Sequence, residues 1–317
     1  MRVNKTAKII RYAQYVKDAL GGNGIYASKY RFTDRRQHKG KMLYVLAGYK
    51  PYLWKDVFSR IDAYLPTDVE VCVLSSGKYL PQLEDYCEQY GWSYLSTTRN
   101  NICCITNIMM KIYNDVEYVF KMDEDIYLTE GAFEGLESCY HKLEKERRYE
   151  IGMVGAFIPI NSFCIYKFLN EVGKYDDFVE KYGWINDGCM YDEQLRRKPG
   201  INAYIWNETG DIDAFARNHR SMEPGVYDVN VRYMIGFVLY KRSLWESIGG
   251  LRVMAGKGSG DEGDEGQFLS HCFLTSKAVF VAKNVVVGHF SYGGAEEEVM
   301  RVKKSHPDWF ALKERNT

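Results

Sequence analysis

From Met42 onward the chain alternates short apolar runs with amphipathic stretches, and this rhythm limits its fold more than any other feature. Met42 to Ala47, Val69 to Leu74 and Trp92 to Leu95 read as strands. Each is followed by a helical stripe: Trp54, Val57, Phe58, Ile61 and Leu65; then Leu83, Tyr86, Cys87 and Tyr90; then Ile102, Ile105, Ile108, Met109 and Ile112. Pro81 opens the second helix and Gly91 stops it. Strands separated by helices need right-handed crossovers, and therefore a parallel sheet covered by helices. The expectation is an α/β fold with a mostly parallel central sheet.

The next strand is the run Tyr118-Val119-Phe120-Lys121-Met122, entered from the polar turn Asn114-Asp115 and ended by Asp123-Glu124-Asp125. Open α/β sheets bind ligands at the carboxyl ends of their strands. Strand side chains alternate, so Asp123 and Asp125 project to one side and Glu124 to the other. Two converging carboxylates can hold Mg2+ or Mn2+, hard ions that take one or two carboxylates and complete their shell with water and phosphate. A diphosphate substrate follows from that reading; a plain solvated loop is the alternative. An EF-hand loop would need glycine where Leu128 stands, and a phosphatase-type aspartate would follow the first strand of its domain. The turns after the earlier strands, carrying Tyr49, Ser75 and Arg99, are expected on the same edge. No strand of the β-α repeat over 42–150 is followed by a G-x-G-x-x-G or a P-loop lysine motif, so neither a dinucleotide fold nor an ATPase is indicated.

The 317 residues are 46% hydrophobic and 26% charged with no formal net charge, a globular composition that suggests no nucleic-acid partner. No apolar run approaches the roughly 20 residues of a membrane span, and the start lacks a signal-peptide core, so a cytoplasmic location is expected. Eight cysteines without C-x-x-C spacing read as reduced core residues. Residues 1–41 hold eleven Lys and Arg against two Asp, and Thr6 to Leu20 form an amphipathic pattern. That basic helical extension either lies on an anionic membrane, at its inner face, or packs on the domain with its charges in water.

Beyond the acids, Ile151 to Ile160 reads as a strand. A long aromatic-rich region follows to about Tyr233, with helices expected at Cys164 to Val172, Asp177 to Tyr182 and Ile212 to Arg220. It is either a substrate-recognition region or a packing insertion. Met234 to Tyr240 is another strand, leading to Lys241-Arg242 and the pair Gly249-Gly250. Glycines 256, 258, 260, 263 and 266 then carry two acid pairs, Asp261-Glu262 and Asp264-Glu265, ahead of a helix from Phe268. Short runs at Ala278 to Ala282 and Val285 to Val287 precede Gly288-His289-Phe290.

In this order the pieces resemble a family 2 type GT-A glycosyltransferase from about Met42 to Gly294. The matching features are Arg99-Asn100, Asp123-Glu124-Asp125, Lys241-Arg242 with Gly249-Gly250, Asp264-Glu265-Gly266-Gln267, and His289 after a Val-rich strand. The resemblance implies a Rossmann-like nucleotide-sugar half over 42–150, an inserted acceptor region over 151–233, a catalytic half over 234–295 and a tail over 296–317. It implies a nucleoside-diphosphate sugar as donor, UDP-sugar favoured, and a glycan or lipid-linked glycan as acceptor. Asp123, Asp125 and His289 become metal ligands; Tyr49, Ser75 and Arg99 become donor contacts. Asp264 or Glu265 becomes the base of an inverting transfer, with Glu265 first because the second acid of the pair has that role in the pattern, and with a pKa expected to be lowered at a helix start. One departure stands out: the second strand ends in Ser75-Ser76 where aspartates usually read the donor base, which leaves the nucleotide open. A metal-dependent nucleotidyl- or phosphotransferase and a non-catalytic carbohydrate-binding relative remain as alternatives.

Overall fold

The computed structural model describes residues 28–187, 198–253, 263–291 and 295–313. The basic helix expected over Thr6 to Leu20 and the acids Asp261-Glu262 lie outside the described residues. The parallel unit is built from β2 (Lys41–Leu46), β3 (Val69–Ser75), β4 (Ser93–Thr97) and β5 (Tyr118–Asp123). Their connections are α1 (Pro51–Tyr64), α2 (Pro81–Tyr90) and α3 (Ile102–Ile112). Local chemistry sets these boundaries. A proline opens α1 and α2, left-handed Gly91 closes α2, and the Asn101 side chain caps α3 by accepting from the Cys104 N–H at 2.9 Å.

The strands pair in the order β4-β3-β2-β5, all parallel. The chain therefore winds outward from β2 to β4, then crosses back to place β5 on the other side of β2. A crevice opens at that reversal, between the carboxyl ends of β2 and β5. The loop after Leu46 and the acids after Met122 face each other across it.

Past β5 the sheet becomes mixed. Strand β9 (Phe237–Lys241) runs antiparallel to both β5 and β7 (Glu150–Phe157), and β10 (Lys277–Val286) runs parallel to β7. The short β8 (Val226–Asp228) closes this edge antiparallel to β10. The two short runs expected at 278–282 and 285–287 are one strand, with a register shift between Ala282 and Val286. The region 151–233 thus begins with one sheet strand and ends shortly after another, with helices α5 (Ile165–Glu171), α6 (Tyr175–Tyr182), α7 (Ile201–Thr209) and α8 (Ile212–Arg220) between them. Helix α4 (Ala132–Glu146) packs across β7 and β10, and α9 (Arg242–Ile248) follows β9 directly.

Both chain ends contribute more to the sheet and core than expected. Within the basic segment, β1 (Tyr30–Thr33) pairs antiparallel with β4, so the sheet starts before residue 42. Four residues flanked by charge give too little alternation for a strand to be legible. The segment expected as a tail forms α11 (Glu296–Ser305) and a 3-10 turn at Pro307–Trp309, then buries Phe310 against Trp206, ring centroids 4.3 Å apart. Arg60, wholly buried on α1, locks this end in place. It donates to the carbonyls of Leu128 at 2.8 Å, Phe310 at 3.1 Å and Ala311 at 2.9 Å, and makes two 2.9 Å bonds to the Asp213 carboxylate. The described cysteines are all free thiols, as expected of core residues.

Candidate active site

The middle acid of the three serves the scaffold. Glu124 is buried and accepts from the Gly48 N–H at 2.8 Å, the Tyr49 N–H at 2.9 Å and the Trp54 indole N–H at 2.6 Å. Three donors on one carboxylate fix the β2–α1 loop against the end of β5. The alternation of the strand is what frees Asp123 and Asp125 for other work.

Asp125 meets the histidine from the far end of the chain. The short strands β6 (Ile126–Tyr127) and β11 (Gly288–His289) pair antiparallel, with His289 opposite Ile126. His289 Nε2 then stands 3.2 Å from Asp125 Oδ2. Gly288 permits this approach, because a Cβ there would come within 3.0 Å of Trp206 and 3.2 Å of Tyr127. Lys50 Nζ lies 2.5 Å from the same carboxylate oxygen and 3.2 Å from Glu296 at the start of α11. Burial alone would raise the Asp125 pKa; His289 and then Lys50 overcome it and hold the carboxyl well below the usual range.

Asp123 is held from within its own strand. Lys121, 3% exposed, reaches Asp123 Oδ1 at 2.6 Å and the Ile235 carbonyl at 2.7 Å. Burial pushes the Asp123 carboxyl up to about 6, against the pull of Lys121 and with the help of Asp125. The side chain is still 36% exposed, and that path to water limits the lift.

The acids of the glycine-rich stretch open α10 (Asp264–Leu274), as the helix-start reading requires. Their surroundings differ. Glu265 Oε1 is 2.6 Å from Arg232 Nε, whereas Asp264 is 7% exposed and its Oδ2 has no hydrogen-bond partner among the described residues. Asp264 acts electrostatically on Lys121, Asp123, Tyr44 and Tyr240. Glu265 also acts on Lys121. Lys121 thus bonds Asp123 directly and feels the charge of both α10 acids. The expected lowering of the Glu265 pKa by the helix start is corrected: burial dominates and raises it, with Arg232 pulling the other way.

Tyr49 stands exposed on the edge, its hydroxyl donating to the Ser76 carbonyl at 3.1 Å and Lys78 over its ring at 4.1 Å. Arg99 is half-buried on the same edge, after β4. Ser75 differs: it is fully buried and its hydroxyl donates to the Lys78 carbonyl at 2.6 Å, so it shapes the turn from inside.

Do these groups suit a divalent metal? Asp125 and His289 give one hard oxygen and one imidazole nitrogen in contact, and the Lys50 ammonium stands at the same oxygen, so this is a place that accepts a cation. Among the described residues no three His, Cys, Asp or Glu side chains gather closely enough to hold a metal by themselves. That is compatible with Mg2+ or Mn2+, which commonly rely on substrate phosphates and water for the remaining ligands. The residues fit a metal completed by its substrate. Four residues here were not singled out in the sequence: Lys50, Lys121, Arg232 and Glu296. Only Lys121 carried a signal, a charge inside an otherwise apolar strand.

No family model matches the sequence, and no curated protein matches it. Two solved structures illustrate what the fold is similar to. The mannosyltransferase PcManGT from Pyrobaculum calidifontis, in complex with GDP-Man and Mn2+, aligns over 85% of this chain and 62% of its own, with a TM-score of 0.45 and 10% identity. GalNAc-T7, with UDP, GalNAc and Mn2+, aligns over 83% of this chain and 47% of its own, with a TM-score of 0.48 and 10% identity. The chain spans less than two thirds of either protein.

Proposed function

We propose that this chain is a metal-dependent glycosyltransferase of the GT-A kind. In this reading it moves a sugar from a nucleoside-diphosphate sugar, UDP-sugar favoured, to a hydroxyl of a glycan or lipid-linked glycan. The observation that carries the proposal is the meeting of Asp125 with His289 at the crevice between β2 and β5, with Asp123 held beside them by Lys121. Distant parts of the chain converge there on one edge.

A metal held by Asp125 and His289, with Asp123 beside them, would offset the charge of the departing diphosphate. Tyr49 offers an aromatic face for the donor base at the mouth of the crevice, and Arg99 a cation on the same edge. Glu265 takes the acceptor proton: as the acceptor oxygen bonds to the anomeric carbon, the bond from that carbon to the diphosphate breaks and the proton passes to the carboxylate. Burial that raises its pKa toward neutrality makes it a better base than an ordinary glutamate. Asp264, turned inward, is the second candidate. Attack opposite the leaving group inverts the anomeric carbon. Contact with an anionic membrane belongs to residues 1–41; among the described residues no helix is long and apolar enough to cross one.

The test is thermal denaturation with UDP or GDP, with and without Mn2+, on the full chain and Asp125→Asn. Diphosphate at about 100 times its dissociation constant should stabilise the chain by ~2.7 kcal/mol, only with metal and only with Asp125 intact. A shift independent of metal and retained in Asp125→Asn overturns the proposal. Turnover of the sugar donor to a nucleoside diphosphate, rather than to a monophosphate or pyrophosphate, separates glycosyl transfer from nucleotidyl transfer.

A further inference from the structure

We propose that Lys50 is the resident cation of this site: its ammonium stands beside Asp125 until a divalent ion enters, then leaves that carboxylate and pairs with the donor diphosphate. The inference rests on the reading of Asp125 and His289 as metal ligands. Lys50 and His289 address the same oxygen, Asp125 Oδ2, at 2.5 and 3.2 Å. An ion bound through that oxygen and the imidazole would meet the ammonium at contact distance, and two cations cannot share the place.

The surroundings suit a side chain that moves while its backbone stays. Glu124 fixes the loop through the N–H groups of Gly48 and Tyr49, immediately before Lys50, and Pro51 opens α1 immediately after it. Between those anchors stands a compact charge on a flexible four-carbon stem. Its second partner, Glu296, is 3.2 Å away and 43% exposed at the start of α11, so the ammonium keeps a carboxylate when it gives up Asp125. Lys50 follows Tyr49 on the loop that faces the acids, within reach of any diphosphate bound there, and lysine is a common phosphate partner. A lysine that only tied α11 to the β2 loop would need Glu296 and have no reason to engage Asp125.

The experiment is Mn2+ binding by calorimetry and by electron paramagnetic resonance of free Mn2+, on the full chain, Lys50→Met, Lys50→Arg, Glu296→Gln and Asp125→Asn. UDP and GDP affinities are then measured at saturating Mn2+. Lys50→Met should bind Mn2+ about tenfold more tightly in the absence of nucleotide, yet bind the diphosphate about tenfold more weakly. Lys50→Arg should stay near the parent in both. Opposite signs in one variant are the signature, because a merely structural lysine would move both affinities the same way or neither. Glu296→Gln, altered on an exposed helix start, should weaken Mn2+ binding by removing the carboxylate that receives the ammonium; it carries the test should Lys50→Met not fold. Mn2+ affinity within about twofold of the parent in Lys50→Met, or in Glu296→Gln where that variant stands in, overturns the role of Lys50. When Asp125→Asn alone has lost Mn2+, the metal site stands and only Lys50 is wrong; when Asp125→Asn still binds Mn2+ normally, both readings fall.

Discussion

The two sides of the candidate site are built by different means. On the β2–β5 side, consecutive β-α units lay four parallel strands together, and Glu124, Asp123 and Asp125 each have partners at 2.5 to 3.2 Å. On the other side, strand β9 enters antiparallel, Arg232 comes from the end of the long helical region, α10 brings the acid pair, and Asp264 keeps a buried oxygen without a partner among the described residues. The first side is built from short consecutive connections and its three acids are all paired; the second is assembled from parts far apart in the sequence. Within the second side the two acids differ as well: Glu265 is paired with Arg232, whereas the buried oxygen of Asp264 has no partner among the described residues.

The sharpest way to break this comparison is Glu265→Gln. Transfer should fall by about 10²–10⁴ while donor affinity holds, because the proton leaves only in the transition state. Steady-state kinetics and donor titration, run beside Asp264→Asn, check it. If Asp264→Asn alone loses transfer, the roles assigned to the two acids are exchanged. The same variant reads the pKa. A raised folded-state pKa means that Glu265 adds most stability below its unfolded value and loses that contribution as pH rises through the folded value. The melting temperature of the parent minus that of Glu265→Gln should therefore decline from pH 4 toward pH 7, and a rise would contradict the dominance of burial.

A smaller effect falls on the contact between the halves. Arg60→Met leaves the Asp213 carboxylate buried without its cation and three carbonyls without donors, so it should cost about 3–5 kcal/mol in chemical denaturation. Unchanged stability would mean that the C-terminal segment is held by its aromatic packing alone. Glu124→Gln should cost less, about 1–3 kcal/mol, because its one carbonyl oxygen cannot serve Gly48 and Trp54 on one side and Tyr49 on the other, as the two carboxylate oxygens do. It should also weaken donor binding, since the loop bearing Tyr49 and Lys50 loses its anchor. Donor affinity equal to that of the parent would detach Glu124 from the site.

Where one strand, one helix and one turn sufficed, the sequence was legible. The apolar periods located β2, β3 and β5 to within a residue or two, and alternation alone separated Glu124 from Asp123 and Asp125. The resemblance singled out His289 by its place after a Val-rich run; the antiparallel pair with Ile126–Tyr127 that brings it to Asp125 left no mark in the sequence. The sequence did not disclose β1, too short and charged to show a period, nor the antiparallel entry of β9, since strand direction leaves no mark on composition.

By itself, then, the sequence determined the β-α rhythm, the acid-tipped strand and the residue types available for chemistry, because these depend on periods of two and 3.6 residues that local sterics enforce. Only the tertiary structure decided that Lys50 stands at Asp125, that His289 reaches the same oxygen, and that Arg232 confronts Glu265. Those pairings join residues from separate elements. Charge partners are chosen by which side chains the packed sheet and helices bring within about 4 Å, a distance that no local pattern encodes.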